Sequence, residues 1–168
     1  MVDISVESIK TLRERTGAGI MDCKRALEET SGDLERAGEI IRLKGIASAV
    51  KKAERDTGQG VVDCYIHQGN RVGAMVEVNC ETDFVARTQE FKDMVHDLAM
   101  QVAAMAPLYV DSEEIPEGYD VNAEEICLLE QSFIKDPGRT IKDLISEVVG
   151  RTGENIRIRR FERFALGE

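Results

Sequence analysis

Apolar positions recur at helical spacing through the first third of the chain and then switch to alternation, and this change of period divides it. Val6, Ile9 and Leu12 lie three apart behind Ser5, whose hydroxyl suits the free amides of a helix start. Thr16-Gly17-Ala18-Gly19 ends that helix, because glycine takes the left-handed conformation at no steric cost. A second helix over 20–30 buries Met21, Cys23, Ala26 and Leu27 in some combination. After Ser31-Gly32, Asp33 caps a third helix that carries Leu34, Ala37, Ile40 and Ile41 and that Gly45 ends. Residues 46–55, rich in alanine and lysine, read as a further helical connector.

Asp56-Thr57-Gly58-Gln59-Gly60 marks the boundary. Strands are predicted over 61–67 and 72–80, joined at the hairpin turn Gln68-Gly69-Asn70-Arg71. In the second, Val72, Ala74, Val76, Val78 and Cys80 share one face. A long helix runs from its cap Thr88 to Ala106, where Pro107 stops it, with Phe91, Val95, Leu98, Val102 and Met105 as its stripe. An exposed loop around Ile115-Pro116-Glu117-Gly118 follows, then a helix from the capping pair Asn122 and Glu125 to about Phe133. Asp136-Pro137-Gly138 reads as a turn. Thr140 with Asp143 caps a helix bearing Ile141, Leu144, Ile145 and Val148. Residues 155–166 alternate as a third strand, except that Arg160 and Glu162 fall on the face of Ile156, Ile158 and Phe164, a conflict that a bulge could resolve. The expected architecture is α+β: a helical module over 1–55, and a core over 56–168 around a small antiparallel sheet of about three strands.

Composition narrows the class. The chain has 168 residues, 42% apolar and 32% charged, as in soluble globular proteins. No apolar run approaches the roughly 20 residues that cross a bilayer, and the start resembles no secretory signal, so a cytoplasmic protein without membrane contact is expected. Net charge is −10, but residues 1–55 carry +1 and residues 56–168 carry −11. The stretch 111–130 holds eight acids and no base. An acidic body repels phosphate backbones, which argues against general nucleic-acid binding. Cys23, Cys64, Cys80 and Cys127 are far apart, with no CxxC pair and no ligand pairing with His67 or His96. They read as small buried hydrophobes, and no metal site is expected.

Candidate chemistry is sparse. Gly17-Ala18-Gly19 lacks both the third glycine of a dinucleotide loop and the glycine-lysine pair of a phosphate loop. Cys64 and His67, three apart on a strand, point to opposite faces, and Asp22-Cys23 has no histidine beside it. No catalytic residue and no cofactor are expected. Arg157, Arg159, Arg160 and Arg163, with Phe161 and Phe164, could form an RNA-stacking sheet, or the arginines could pair with the acidic loop or be solvated.

Glu81-Thr82-Asp83-Phe84-Val85-Ala86-Arg87 sits between a strand and a helix and has two readings. In one, Thr82 or Asp83 is a helix cap and Phe84 belongs to the core. In the other, the corner holds Asp83 and Phe84 outward, as an apolar ring and a carboxylate aimed at a partner. A resemblance separates them. Thr16-Gly17-Ala18-Gly19-Ile20-Met21-Asp22-Cys23-Lys24-Arg25-Ala26-Leu27 resembles the first signature of elongation factor Ts, with Arg25 where lysine is usual. Val78-Asn79-Cys80-Glu81-Thr82-Asp83-Phe84-Val85-Ala86-Arg87 resembles the second. Gln131-Ser132-Phe133-Ile134-Lys135-Asp136-Pro137 and the run from Gly153-Glu154-Asn155-Ile156-Arg157 to Gly167 resemble the closing segments of the short bacterial forms, with Ser132 where proline is usual.

The resemblance implies a ubiquitin-associated-like three-helix bundle at the start and a factor that binds elongation factor Tu with GDP and speeds GDP release. It implies that Arg13, Ile20 and Met21 contact the partner's nucleotide-binding domain. It also implies that the corner Thr82, Asp83, Phe84 and Val85 enters near the partner's magnesium site, with His67 a further contact. A single core, as in the short forms, implies a homodimer. The competing classes are a plain helical interaction module and an RNA-binding protein.

Overall fold

The computed structural model describes residues 4–119 and 121–168, and the protein is α+β, with seven α-helices and five strands among those residues. It forms two compact units, one of residues up to 54 with 146–153, the other of residues 55–145 with 154–168.

The first unit begins with α1 (Val6–Thr16), α2 (Ile20–Glu29) and α3 (Leu34–Lys52). Their ends follow the predicted chemistry. Ser5 Oγ accepts from the Ser8 amide at 3.0 Å, and Asp33 Oδ1 accepts from the Glu35 and Arg36 amides at 3.0 Å each. Gly17 stands at φ 65° and donates its amide to the Arg13 carbonyl at 2.7 Å, which closes α1. Leu12, Cys23, Ala26, Leu27 and Ala37 form the buried core of the three helices, with Ile9, Leu34, Ile40 and Ile41 packed around it. Met21 is not among them; it faces outward.

Gly45 does not end α3, which runs on for seven further residues as one helix through the expected connector. The glycine is there for packing. A Cβ at Gly45 would meet the Ser146 carbonyl oxygen at 3.3 Å, and one at Gly150 would meet the Gly45 Cα at 3.6 Å. Two glycines let α3 and the last turns of α7 (Ile141–Thr152) approach backbone to backbone. That contact offsets the roughly 1 kcal/mol that a mid-helix glycine costs.

The second unit is built on β1 (Gln59–Ile66), β2 (Val72–Cys80) and β5 (Ile156–Ala165), antiparallel in the order β1-β2-β5. The hairpin turn places Gly69 at φ 93° and Asn70 at φ 56°, the left-handed region that glycine and asparagine tolerate. Ala74, Val76, Val78 and Cys80 bury one face of β2 against α5 (Gln89–Met105). From α5 come Phe91, Met94, Val95, Leu98, Ala99 and Val102, while Met105 at the end of its stripe is exposed. The conflict in the last strand is resolved by a bulge. Glu77 pairs with Arg160 but Val78 pairs with Ile158, which leaves Arg159 as the extra residue. The inward set therefore changes from Ile156 and Ile158 to Phe161, Arg163 and Ala165, and Arg160, Glu162 and Phe164 point out.

Two expectations between α5 and α7 are corrected. The helix begun at Asn122 is only α6 (Ala123–Ile126), because Cys127 is extended and bridges Tyr109. Asp136-Pro137-Gly138 is not a free turn but part of β4 (Asp136–Thr140), which pairs with β3 (Ser132–Phe133). A buried amide holds this hairpin. Gln101 Nε2 donates to the Gln131 side chain at 3.2 Å and to the Ser132 carbonyl at 3.1 Å, while its oxygen accepts from the Ile134 amide at 3.0 Å. The Thr140–Asp143 capping box forms as expected, each residue's amide donating to the other's side chain at 3.1 Å.

Candidate functional site

The corner between β2 and α5 has a foundation and a tip. Thr82 caps the single turn α4 (Asp83–Ala86), its Oγ1 accepting from the Val85 amide at 3.5 Å. Val85 and Ala86 turn inward and are buried. Two residues further on, Thr88 caps α5, accepting from the Phe91 amide at 3.3 Å and donating its hydroxyl to the Val85 carbonyl at 2.8 Å. Two caps six residues apart thus fix both ends of a turn too short to hold itself. Its outer side carries Phe84, 79% exposed. Beside the ring, Asp83 pairs with Arg87 at 2.8 Å, one helical turn away.

Of the four residues assigned to the corner, Asp83 and Phe84 are presented to solvent and Val85 is not. Thr82 lies between, engaged in holding the turn. Sequence reasoning missed what holds Thr82 from the other side. Both carboxylate oxygens of Glu154 accept from it, one from its amide at 3.0 Å and one from its hydroxyl at 2.5 Å. Reciprocally, Glu81 accepts from the amide of buried Asn155 at 2.6 Å and from Arg55 at 3.3 Å. The acid-amide pair that opens the closing segment, Glu154-Asn155, was the available signal.

His67 lies just beyond β1, with Nδ1 at 3.1 Å from the Tyr65 hydroxyl. Tyr65 also meets the ring of His96 edge-on at 5.9 Å, and His96 Nδ1 lies 3.0 Å from Asp63. In the other unit, Arg13 closes α1 and Ile20 and Met21 open α2 across the Gly17-Ala18-Gly19 turn, all three exposed. That turn joins two helices, as read.

The cysteines and the arginines of the last strand fall in different places. Cys23, Cys80 and Cys127 are buried, but Cys64 is exposed on the outward face of β1, against expectation, because its even register puts it opposite Met75. Burial pushes the Cys80 and Cys127 thiols above their ordinary value of 9.0, and the nearby Glu154 carboxylate adds to this at Cys80. Arg160 pairs with Glu77 at 2.8 Å and Arg163 with Glu168 at 2.7 Å, rather than with the acidic stretch. Among the described residues no group of three His, Cys, Asp or Glu could hold a metal ion, and no helix is long and apolar enough to cross a membrane.

The corner thus presents an aromatic ring and a carboxylate to solvent on a doubly capped turn of a small mixed fold. Similarity to known proteins gives the lineage. The family described as Elongation factor TS matches residues 4–122. Elongation factor Ts of Carboxydothermus hydrogenoformans is 51% identical, covering 98% of this chain and 90% of its own length. That of Thermoanaerobacter pseudethanolicus is 48% identical, covering 98% and 96%, and that of Thermotoga maritima 47%, covering 99% and 98%. The chain belongs to the elongation factor Ts family, and its role lies in translation elongation. Each of these alignments runs over 195 positions against 168 residues, so at least 27 positions have no counterpart here.

Proposed function

We propose that this chain is a guanine-nucleotide exchange factor that binds elongation factor Tu in its GDP state in the cytoplasm. It promotes GDP release by inserting the Asp83–Phe84 corner near the partner's magnesium and phosphate site. It acts by binding and carries out no chemical transformation of its own. The observation that carries this reading is the exposure of Phe84 on a braced turn: a large ring held in water beside a carboxylate is poorly placed for the chain's own stability. Arg13, Ile20 and Met21 supply a second contact from the helical module over 1–55, and His67 a third from the core over 56–168.

Magnitudes require several contacts. A thousandfold faster release needs about 4 kcal/mol off the barrier. Burying one phenylalanine gives roughly 1.5–3 kcal/mol. The rest of the surface must therefore bind the opened partner more tightly than the nucleotide-bound one.

We further infer a homodimer. The outward face of the sheet exposes Val62, Ile66, Met75, Phe164 and Leu166, each between 52% and 72% accessible. Ile66, Met75, Phe164 and Leu166 line one groove of about 500 Å³. A second copy laid sheet to sheet would cover this apolar face.

Stopped-flow release of a fluorescent GDP analogue from elongation factor Tu tests the main reading. Substoichiometric amounts of this chain should accelerate release and turn over. A release rate unchanged by its addition refutes it.

A further inference from the structure

We propose that Glu154 is a positioning residue for exchange: it holds the Asp83–Phe84 corner in its insertion-competent form through Thr82. The proposal rests on the reading of that corner as the inserted element.

A four-residue helix has no stability of its own, since nucleation costs more than one turn of hydrogen bonds returns. Its geometry must be imposed. From the inside, Val85 and Ala86 are buried and set the depth of the turn but not its direction. From the end, Thr82 must offer a hydroxyl lone pair to the Val85 amide, and a free hydroxyl rotates. Glu154 removes that freedom. One carboxylate oxygen accepts from the Thr82 hydroxyl at 2.5 Å and the other from the Thr82 amide at 3.0 Å. Both bonds are charge-assisted and therefore stronger than neutral ones. With its proton committed to Glu154, the Thr82 oxygen keeps only acceptor capacity for Val85.

The hold is also non-local. Glu154 reaches Thr82 across 72 positions of sequence, from the segment that opens β5. Next to it, Asn155 donates its amide to Glu81, and Asn155 Nδ2 donates to the Arg55 carbonyl at 2.8 Å. Residues 81–82 and 154–155 are thus tied in both directions, and the corner is referenced to the sheet rather than to its own chain ends. Losing Glu154 would leave Phe84 attached but let the turn sample other directions. If only a fraction of molecules hold the competent corner, apparent affinity falls by that fraction while the rate at saturation persists.

The test compares Glu154→Gln, Thr82→Val and Phe84→Ala in the full chain, by GDP release from elongation factor Tu as a function of factor concentration. A glutamine offers one acceptor oxygen for two donors. Glu154→Gln is expected to raise the half-saturating concentration about tenfold with the saturating rate within about twofold, and Thr82→Val to match it. Thr82→Ser, which retains the hydroxyl, recovers most of what Thr82→Val loses. Amide hydrogen exchange should quicken at residues 83–86 in Glu154→Gln and stay unchanged in the helices of the first unit. Unaltered half-saturation and unaltered exchange at 83–86 in Glu154→Gln, with Phe84→Ala still impaired, overturn the positioning role and leave the corner reading intact. If Phe84→Ala also behaves as wild type, the corner reading itself has failed. Should Glu154→Gln not fold, Thr82→Val carries the same comparison.

Discussion

Replacing Phe84 by alanine separates folding from function in a way the structure makes quantitative. The ring is 79% exposed in the free chain, so its removal creates no cavity. Surface truncations of this kind change stability by about 0.5 kcal/mol or less, which for a chain of this length shifts Tm by about 2 °C at most. The apolar transfer that folding leaves unused remains available for binding. Full burial of a phenylalanine yields roughly 1.5–3 kcal/mol, and about four-fifths of that, roughly 1.2–2.4 kcal/mol, lies outside the fold. Phe84→Ala should therefore slow factor-stimulated GDP release by roughly 7- to 60-fold. Phe84→Leu, which keeps most of the apolar area without the ring, falls between. Stopped-flow fluorescence with labelled GDP reads the rate, and calorimetry of the free protein reads Tm. Two results refute the reasoning. One is an unchanged release rate at unchanged Tm. The other is a Tm drop of more than about 5 °C, which would mean that the ring supports its own chain.

Three further outcomes are expected. Gly60→Ala places a Cβ 2.2 Å from the Val78 carbonyl oxygen and 2.9 Å from the Asn79 Cα, both backbone atoms; it should cost about 2–3 kcal/mol in urea titrations, and an unshifted midpoint would contradict the β1–β2 register. Met75→Glu with Phe164→Glu should yield a monomer by sedimentation while the helical content by circular dichroism is retained; a persistent dimer would place the interface elsewhere. Among the thiols, exposed Cys64 should alkylate first, and Cys80 and Cys127 only on unfolding. Because their folded pKa values lie above the ordinary 9.0, the unfolded chain loses these protons at lower pH than the folded one. The stabilisation is therefore complete below about pH 9 and is lost as pH rises through the folded values, which a denaturation series across alkaline pH checks against a Cys80→Ala, Cys127→Ala variant.

The sequence was legible where local rules decide the structure. Ser5, Asp33, Thr82, Thr88 and Thr140 all cap helices because a short side-chain acceptor ahead of a periodic apolar run has one good use. Alternation in β2 was equally plain. It failed where a residue's role depends on something distant. Gly45 looks like a terminator until Gly150 and Ser146 are found against it. Asp136-Pro137-Gly138 looks like a turn until Gln101 is seen anchoring the β3–β4 hairpin from 30 or more residues away. The corner was legible as a motif, and its outward ring was one of two open readings. The tie from Glu154 to Thr82 was not, since the acid-amide pair Glu154-Asn155 marks the segment but not its partner, which lies 72 positions away just past the end of the neighbouring strand.

On the proposed reading, the acidic member of the corner would make insertion reversible. In the free chain Asp83 is held by Arg87 at 2.8 Å, with both side chains well exposed to solvent. Such a pair contributes only about 0.2–1 kcal/mol, since water screens it and two side chains must be ordered to make it. Releasing Asp83 to compete for positions around a magnesium ion therefore costs less than the roughly 1.2–2.4 kcal/mol that burying the adjacent ring returns. Entry as proposed would gain only modestly from the ring, and the free carboxylate has an intramolecular partner to return to. By reciprocity, whatever the corner does to loosen nucleotide, nucleotide must do equally to loosen the corner. A tightly buried Asp83 would make entry too costly, and an unpaired one would weaken the return. Arg87→Gln should accordingly strengthen binding to nucleotide-free elongation factor Tu by up to about fivefold and slow departure when GTP is added. Titration calorimetry and chase kinetics would show it, and an unaffected dissociation rate would mean that the Asp83–Arg87 pair has no part in the cycle.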